Sequence, residues 1–115
     1  MTPVELRIAA LQEAEILASG ENPSAADVQT VAQKHEALHD LLIEENLVSW
    51  VISEDVPKFA EAPMTMMLAA MIGPSFGITA QKLADLRMGY AAGESMMRKL
   101  MAKKYVSQTA QTEYF

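Results

Sequence analysis

Apolar side chains recur along this chain at the three- and four-residue steps of amphipathic helices, in four stretches separated by turn residues. Leu6, Ile8, Ala9, Leu11, Ala14, Ile16 and Leu17 make the first. Thr2 can cap it, Pro3 suits the first helical position, and Glu5 can close a capping box. Gly20 and Asn22-Pro23 end it. Ser24, with Asp27 three residues on, opens a second stretch carrying Val28, Val31, Ala32, Leu38, Leu41 and Leu42, with Asn46 as a left-handed stop. Leu47-Val48-Ser49-Trp50-Val51-Ile52 is short and β-branched, and reads as an extended segment or one strand. Residues 63–72 form a compact apolar third helix that Gly73-Pro74 ends. Thr79 caps a fourth, in which Leu83, Leu86, Tyr90, Gly93, Met97, Leu100 and Met101 recur at helical spacing over roughly 25 residues. The expected fold is all-α: a four-helix domain over residues 1–104, a short extended segment after the second helix, and an extended C-terminal tail over residues 105–115.

A length of 115 residues allows one domain, and 50% apolar with 21% charged residues is the composition of a folding chain. Cysteine is absent, which excludes disulfides and Cys-ligated metals from this sequence. Nine Met, eight of them at or after position 64, suit irregular helix packing. Met1-Thr2-Pro3-Val4-Glu5 lacks a basic n-region, so no signal peptide is expected. The net charge of −6 disfavours general nucleic-acid binding. That charge is unevenly spread. Residues 1–46 hold nine acidic residues against two basic ones, whereas residues 79–104 hold six basic against two acidic. One acidic half and one basic end give copies of the chain a reason to stack head to tail.

Three features carry candidate chemistry. His35-Glu36-Ala37-Leu38-His39 matches the zinc-peptidase pattern H-E-x-x-H, in which two His one turn apart bind Zn²⁺ and the Glu acts as base. Only Glu54, Asp55 and Glu61 follow at a suitable distance to complete the ligands, and His35 lies in line with Val28, Val31, Leu38 and Leu42. A packing role therefore suits it better than a metal, and a minimal zinc hydrolase is the alternative reading. Residues 62–81 carry no charge, but Pro74 breaks the run and neither basic nor aromatic flanks mark an interface, so it reads as a buried helix and turn rather than a membrane span. Arg98, Lys99, Lys103 and Lys104 cluster near the end of the fourth helix, where they complement its dipole or contact an acidic partner. No phosphate loop, nucleophile elbow or other cofactor motif occurs, and no enzyme activity or cofactor is expected.

The order of these features resembles a family. Leu6-Arg7-Ile8-Ala9-Ala10-Leu11, then Ala37-Leu38-His39-Asp40-Leu41-Leu42 running into Leu47-Val48-Ser49-Trp50-Val51, then Leu68-Ala69-Ala70-Met71-Ile72-Gly73-Pro74-Ser75-Phe76-Gly77 and a long basic helix, look like the head-to-tail adaptors of short-tailed phages. These are the tail accessory or packaged-DNA stabilisation proteins, and the likeness covers about residues 4–104. It implies a structural virion protein made in the host cytoplasm. Twelve copies would form a ring under the portal protein at the head–tail junction. Such a ring extends the DNA channel, helps retain packaged DNA without sequence-specific binding, and offers a platform to a downstream, nozzle-type tail protein, with no membrane involved. Under this reading Glu36, Asp40, Glu44 and Glu45 are candidate channel-lining acids that let DNA slide. Arg98, Lys99, Lys103 and Lys104 become a subunit or partner contact, and Tyr105, Val106, Tyr114 and Phe115 anchor the tail to the portal or a neighbour.

Overall fold

In a computed structural model the backbone is described for residues 1–113 and the side chains through Lys103. It comprises α1 (Pro3–Glu13), α2 (Ala25–Glu44), α3 (Glu61–Ile72) and α4 (Ala80–Glu113), with 3₁₀ turns at Lys58–Ala60 and Gly73–Phe76. No strand occurs among the described residues, so the fold is all-α. Residues 47–52 lie between α2 and α3 as irregular chain, because no second extended segment is there to pair with them.

Local chemistry sets most boundaries. The Thr2 hydroxyl accepts the Glu5 N–H at 3.1 Å, and the Glu5 carboxylate accepts the Thr2 N–H at 2.9 Å, which makes a complete capping box. Ser24 accepts the Asp27 N–H, and Thr79 the Lys82 N–H, each at 3.2 Å. Asn46 takes the left-handed conformation at φ 59°, and Leu47 N–H closes onto the Leu42 carbonyl at 2.8 Å.

Two helix ends differ from the pattern. α1 stops at Glu13 although apolar spacing continues to Leu17. Glu15 adopts φ 59°, and the N–H groups of Ile16 and Leu17 both turn back to the Leu11 carbonyl. This turn buries Leu17, which a straight helix would carry past the core. At the other end, α4 continues to Glu113. No Gly or Pro occurs after Gly93 to interrupt it.

α3 is the central element, packed against α1, α2 and α4. Met64, Met67, Leu68, Ala69 and Ile72 have no exposed surface, as the uncharged run requires of a buried helix. Among the described residues no helix is long and apolar enough to cross a membrane.

α4 approaches α3 closely at one point. A Cβ at Gly93 would stand 2.8 Å from the Pro63 carbonyl oxygen and 3.2 Å from Met67 Cγ. The first neighbour is backbone and cannot swing aside. Gly89, one turn earlier, has nothing within 4 Å of such a Cβ. The two positions therefore respond oppositely to the same methyl group. Gly93→Ala should destabilise the fold by about 1–3 kcal/mol through overpacking. Gly89→Ala should stabilise it by up to about 1 kcal/mol, since Ala restricts the unfolded chain and favours helix. Denaturant unfolding of the two variants checks the pair, and equal signs would refute the packing assigned to Gly93.

Candidate functional site

The H-E-x-x-H pattern places two imidazoles on the core side of α2. His35 is 1% exposed and His39 2%, so His39 is as deeply set as His35 rather than at an edge. Each has a structural partner. Arg7 Nε on α1 donates to His35 Nδ1 at 3.1 Å. His35 is therefore neutral, with its proton on Nε2. A backbone carbonyl can only accept, so the 2.9 Å contact between His39 Nε2 and the Trp50 carbonyl places the His39 proton on Nε2. His39 Nδ1 is buried without a partner. The rings form an edge-to-face row from the interior outward: His35 to His39 at 6.2 Å, His39 to Trp50 at 6.3 Å, and Trp50 to Phe59 at 6.1 Å.

This arrangement suits packing better than metal binding. Among the described residues no group of three His, Cys, Asp or Glu side chains converges. Glu36 is exposed on the outer side of α2, away from both rings. The Arg7 guanidinium occupies one of the four imidazole nitrogens, and its charge opposes a dication beside it.

The acids and bases are sorted by the helices that carry them. Glu36, Asp40 and Glu44 follow one another at four-residue steps along the exposed side of α2. Glu45 leaves that stripe. Its carboxylate meets Arg98 of α4 at 2.8 Å, and Arg98 also lies 3.6 Å from Glu94. Arg98 is thus engaged inside its own chain. Lys99 and Lys103 are exposed, with no ion pair among the described residues. The side chains of Lys104, Tyr105, Val106, Tyr114 and Phe115, including the proposed tail anchors, lie outside the described residues.

One feature escaped the sequence pattern. Leu47, Ser49, Trp50, Phe59, Leu100 and Met101 line an apolar groove of about 300 Å³ where α4 passes the irregular segment. Its only advance signal is the placing of Trp50 and Phe59, two of seven aromatic residues, outside the α-helices. Leu41 and Leu100, both on the apolar spacing of their helices, are 42% and 40% exposed.

Comparison of the chain with family models, with curated proteins and with solved structures finds no match.

Burial, then the Arg7 charge and the neighbouring His39, push the His35 pKa down from 6.5 to about 4. The folded state keeps His35 neutral while the unfolded chain takes up a proton below pH 6.5. Stability is fully present above pH 6.5 and falls as the pH drops toward 4, by about 3 kcal/mol in total. His35→Leu should keep the fold and remove this part of the acid sensitivity. Denaturant melts between pH 7 and pH 4.5 check it, and an unchanged slope in His35→Leu would reject the buried neutral imidazole.

Proposed function

We propose that this chain is a non-enzymatic, ring-forming adaptor of a phage head–tail junction. Copies dock side by side beneath the portal protein, extend the DNA channel and present a platform to the next tail protein. The likeness over residues 4–104 and the all-α fold support the reading. The observation that carries it is the separation of charge on the surface: an exposed acidic stripe on α2, and exposed lysines on α4 that have no counter-ion among the described residues. A protein that works alone gains nothing from two such unmatched surfaces. One that repeats around an axis can match them between copies.

The acidic stripe also suits a passage for DNA. A wall bearing carboxylates repels phosphates, so the duplex slides without being gripped, and retention comes from closing the bore. Twelve copies would repeat Glu36, Asp40 and Glu44 around such a wall.

Electron microscopy of the protein mixed with the portal of its own virus tests the assignment. Annular density of several copies on one face of the portal is the expected result, and failure to bind the portal would overturn it. On assembled particles, Glu36→Lys combined with Asp40→Lys should leave the ring intact yet slow DNA exit at low ionic strength, with recovery at high salt. Ejection at the normal rate in low salt would remove the stripe from the channel wall.

A further inference from the structure

The groove where α4 passes the irregular segment has no charged residue in its lining. At about 300 Å³ it stands at the small end of the roughly 300–1,000 Å³ of binding pockets, with room for one or two rings rather than a helix. Phe59 on its wall is 53% exposed, so an aromatic surface meets water in a chain with only seven aromatic residues. The charge beside the groove has one sign. Lys103 stands exposed one turn after Leu100, Lys99 stands exposed one turn before Lys103, and Lys58 adjoins Phe59. Glu45 and Glu94 both meet Arg98 and leave Lys99 and Lys103 without a counter-ion among the described residues.

Such a groove fits an aromatic side chain with a carboxylate next to it. The sequence spells that combination once. Of the seven aromatic residues only Tyr114 has an acidic neighbour, Glu113, and Phe115 follows directly. A chain cannot bring this segment to its own groove with α4 intact. The helix runs unbroken from Met101, in the groove, to Glu113, twelve residues and about 18 Å further on. Folding back would break it, whereas the segment of another copy meets no such constraint.

We infer that Tyr114 and Phe115 of one copy seat in the groove between Trp50, Phe59 and Leu100 of the next, with Glu113 set against Lys103. This inference rests on the reading that copies assemble side by side, and it names a contact that joins them. One groove and one donor segment per chain make the contact heterologous, so each copy both gives and receives. The rings supply the apolar anchor, and the carboxylate selects the lysine-rimmed side. The contact uses none of Glu36, Asp40 and Glu44, which stay free for a channel wall.

Trp50 is the one tryptophan of the chain, so its fluorescence reports on the groove. The host is the full chain carrying Tyr114→Ser and Phe115→Ser, its helical content first matched to the parent. The probe is the peptide of residues 106–115, acetylated and amidated so that Glu113 is its only charge. Titration to about 1 mM should give a saturable change, and the peptide with the same two serines none. Lys103→Glu in the host should weaken binding about fivefold at low salt, and Glu113→Lys in the peptide should recover it. A benzophenone at position 115 of the peptide should photo-crosslink to the residues that line the groove. No saturable change, with crosslinks scattered over the surface, would overturn the site. Binding indifferent to Lys103→Glu would overturn the charge pairing. A parent chain that stays monomeric while its groove refuses the peptide would give the groove to its own segment and overturn the exchange between copies.

Portals separate this contact from the virion role. A chain that takes the peptide yet never binds portals would uphold the contact and reject the role. Rings of the double-serine variant on portals, at the occupancy and stability of the parent, would reject the contact alone. Crosslinks from the groove to the portal instead of a neighbouring copy would make the portal the occupant and overturn the inference.

Discussion

The packing of Gly93 against the Pro63 carbonyl fixes where α4 lies, and the surface features depend on that placement. With no side chain at position 93, α4 can descend onto α3 and bring Met97 into the core with no exposed surface. Leu86 is buried three turns before Met97 along the same helix. Once that seam is set, Arg98 comes within reach of Glu45, and Leu100 and Met101 roof the groove over Trp50. A methyl group at 93 would lift the helix off a backbone atom. The displacement would be shared by every contact along a rigid rod, so core, ion pair and groove would loosen together.

The irregular segment between α2 and α3 has no ladder to hold it, and the buried imidazoles supply part of what it lacks. His39 donates to the Trp50 carbonyl and so ties the middle of the loop to α2. Trp50 then lies edge-on between His39 and Phe59. Leaving His39 Nδ1 unpaired costs about 1–3 kcal/mol. An aliphatic residue at 39 would avoid that cost but would leave the Trp50 carbonyl without this donor. The H-E-x-x-H spelling thus arises from two packing histidines one turn apart, each answering to a different neighbour: Arg7 of α1 and the loop at Trp50.

Where the chain's own chemistry decides a boundary, the boundary is readable without the fold. Thr2, Ser24, Asn46 and Thr79 announce helix ends because each satisfies backbone groups within a few residues. Glu15 announces nothing. It takes a left-handed conformation that Glu does not favour, because burial of Leu17 requires the turn. Periodicity likewise overstates the core. Leu41 and Leu100 fit the three-and-four spacing, yet α2 and α4 each bury an arc narrower than their apolar face. The packing role of His35 was legible from its place in line with Val31 and Leu38. The groove was not, since it joins a loop aromatic, a 3₁₀ turn and the far half of α4, which only the tertiary structure brings together.

Charge shows how order along the chain becomes order in space. The acidic residues are concentrated before position 47 and the basic ones after 78, which along an unfolded chain gives no direction to an encounter. Folding packs α2 and α4 each against α3 and lets one pair, Glu45 with Arg98, close between them. That pair is partly exposed and contributes little stability by itself. Beside it Asp40 and Glu44 stay exposed on α2, and Lys99 and Lys103 stay exposed on α4. The net charge of −6 makes copies repel at long range. Under the adaptor proposal, association of copies would need surfaces that oppose this repulsion locally.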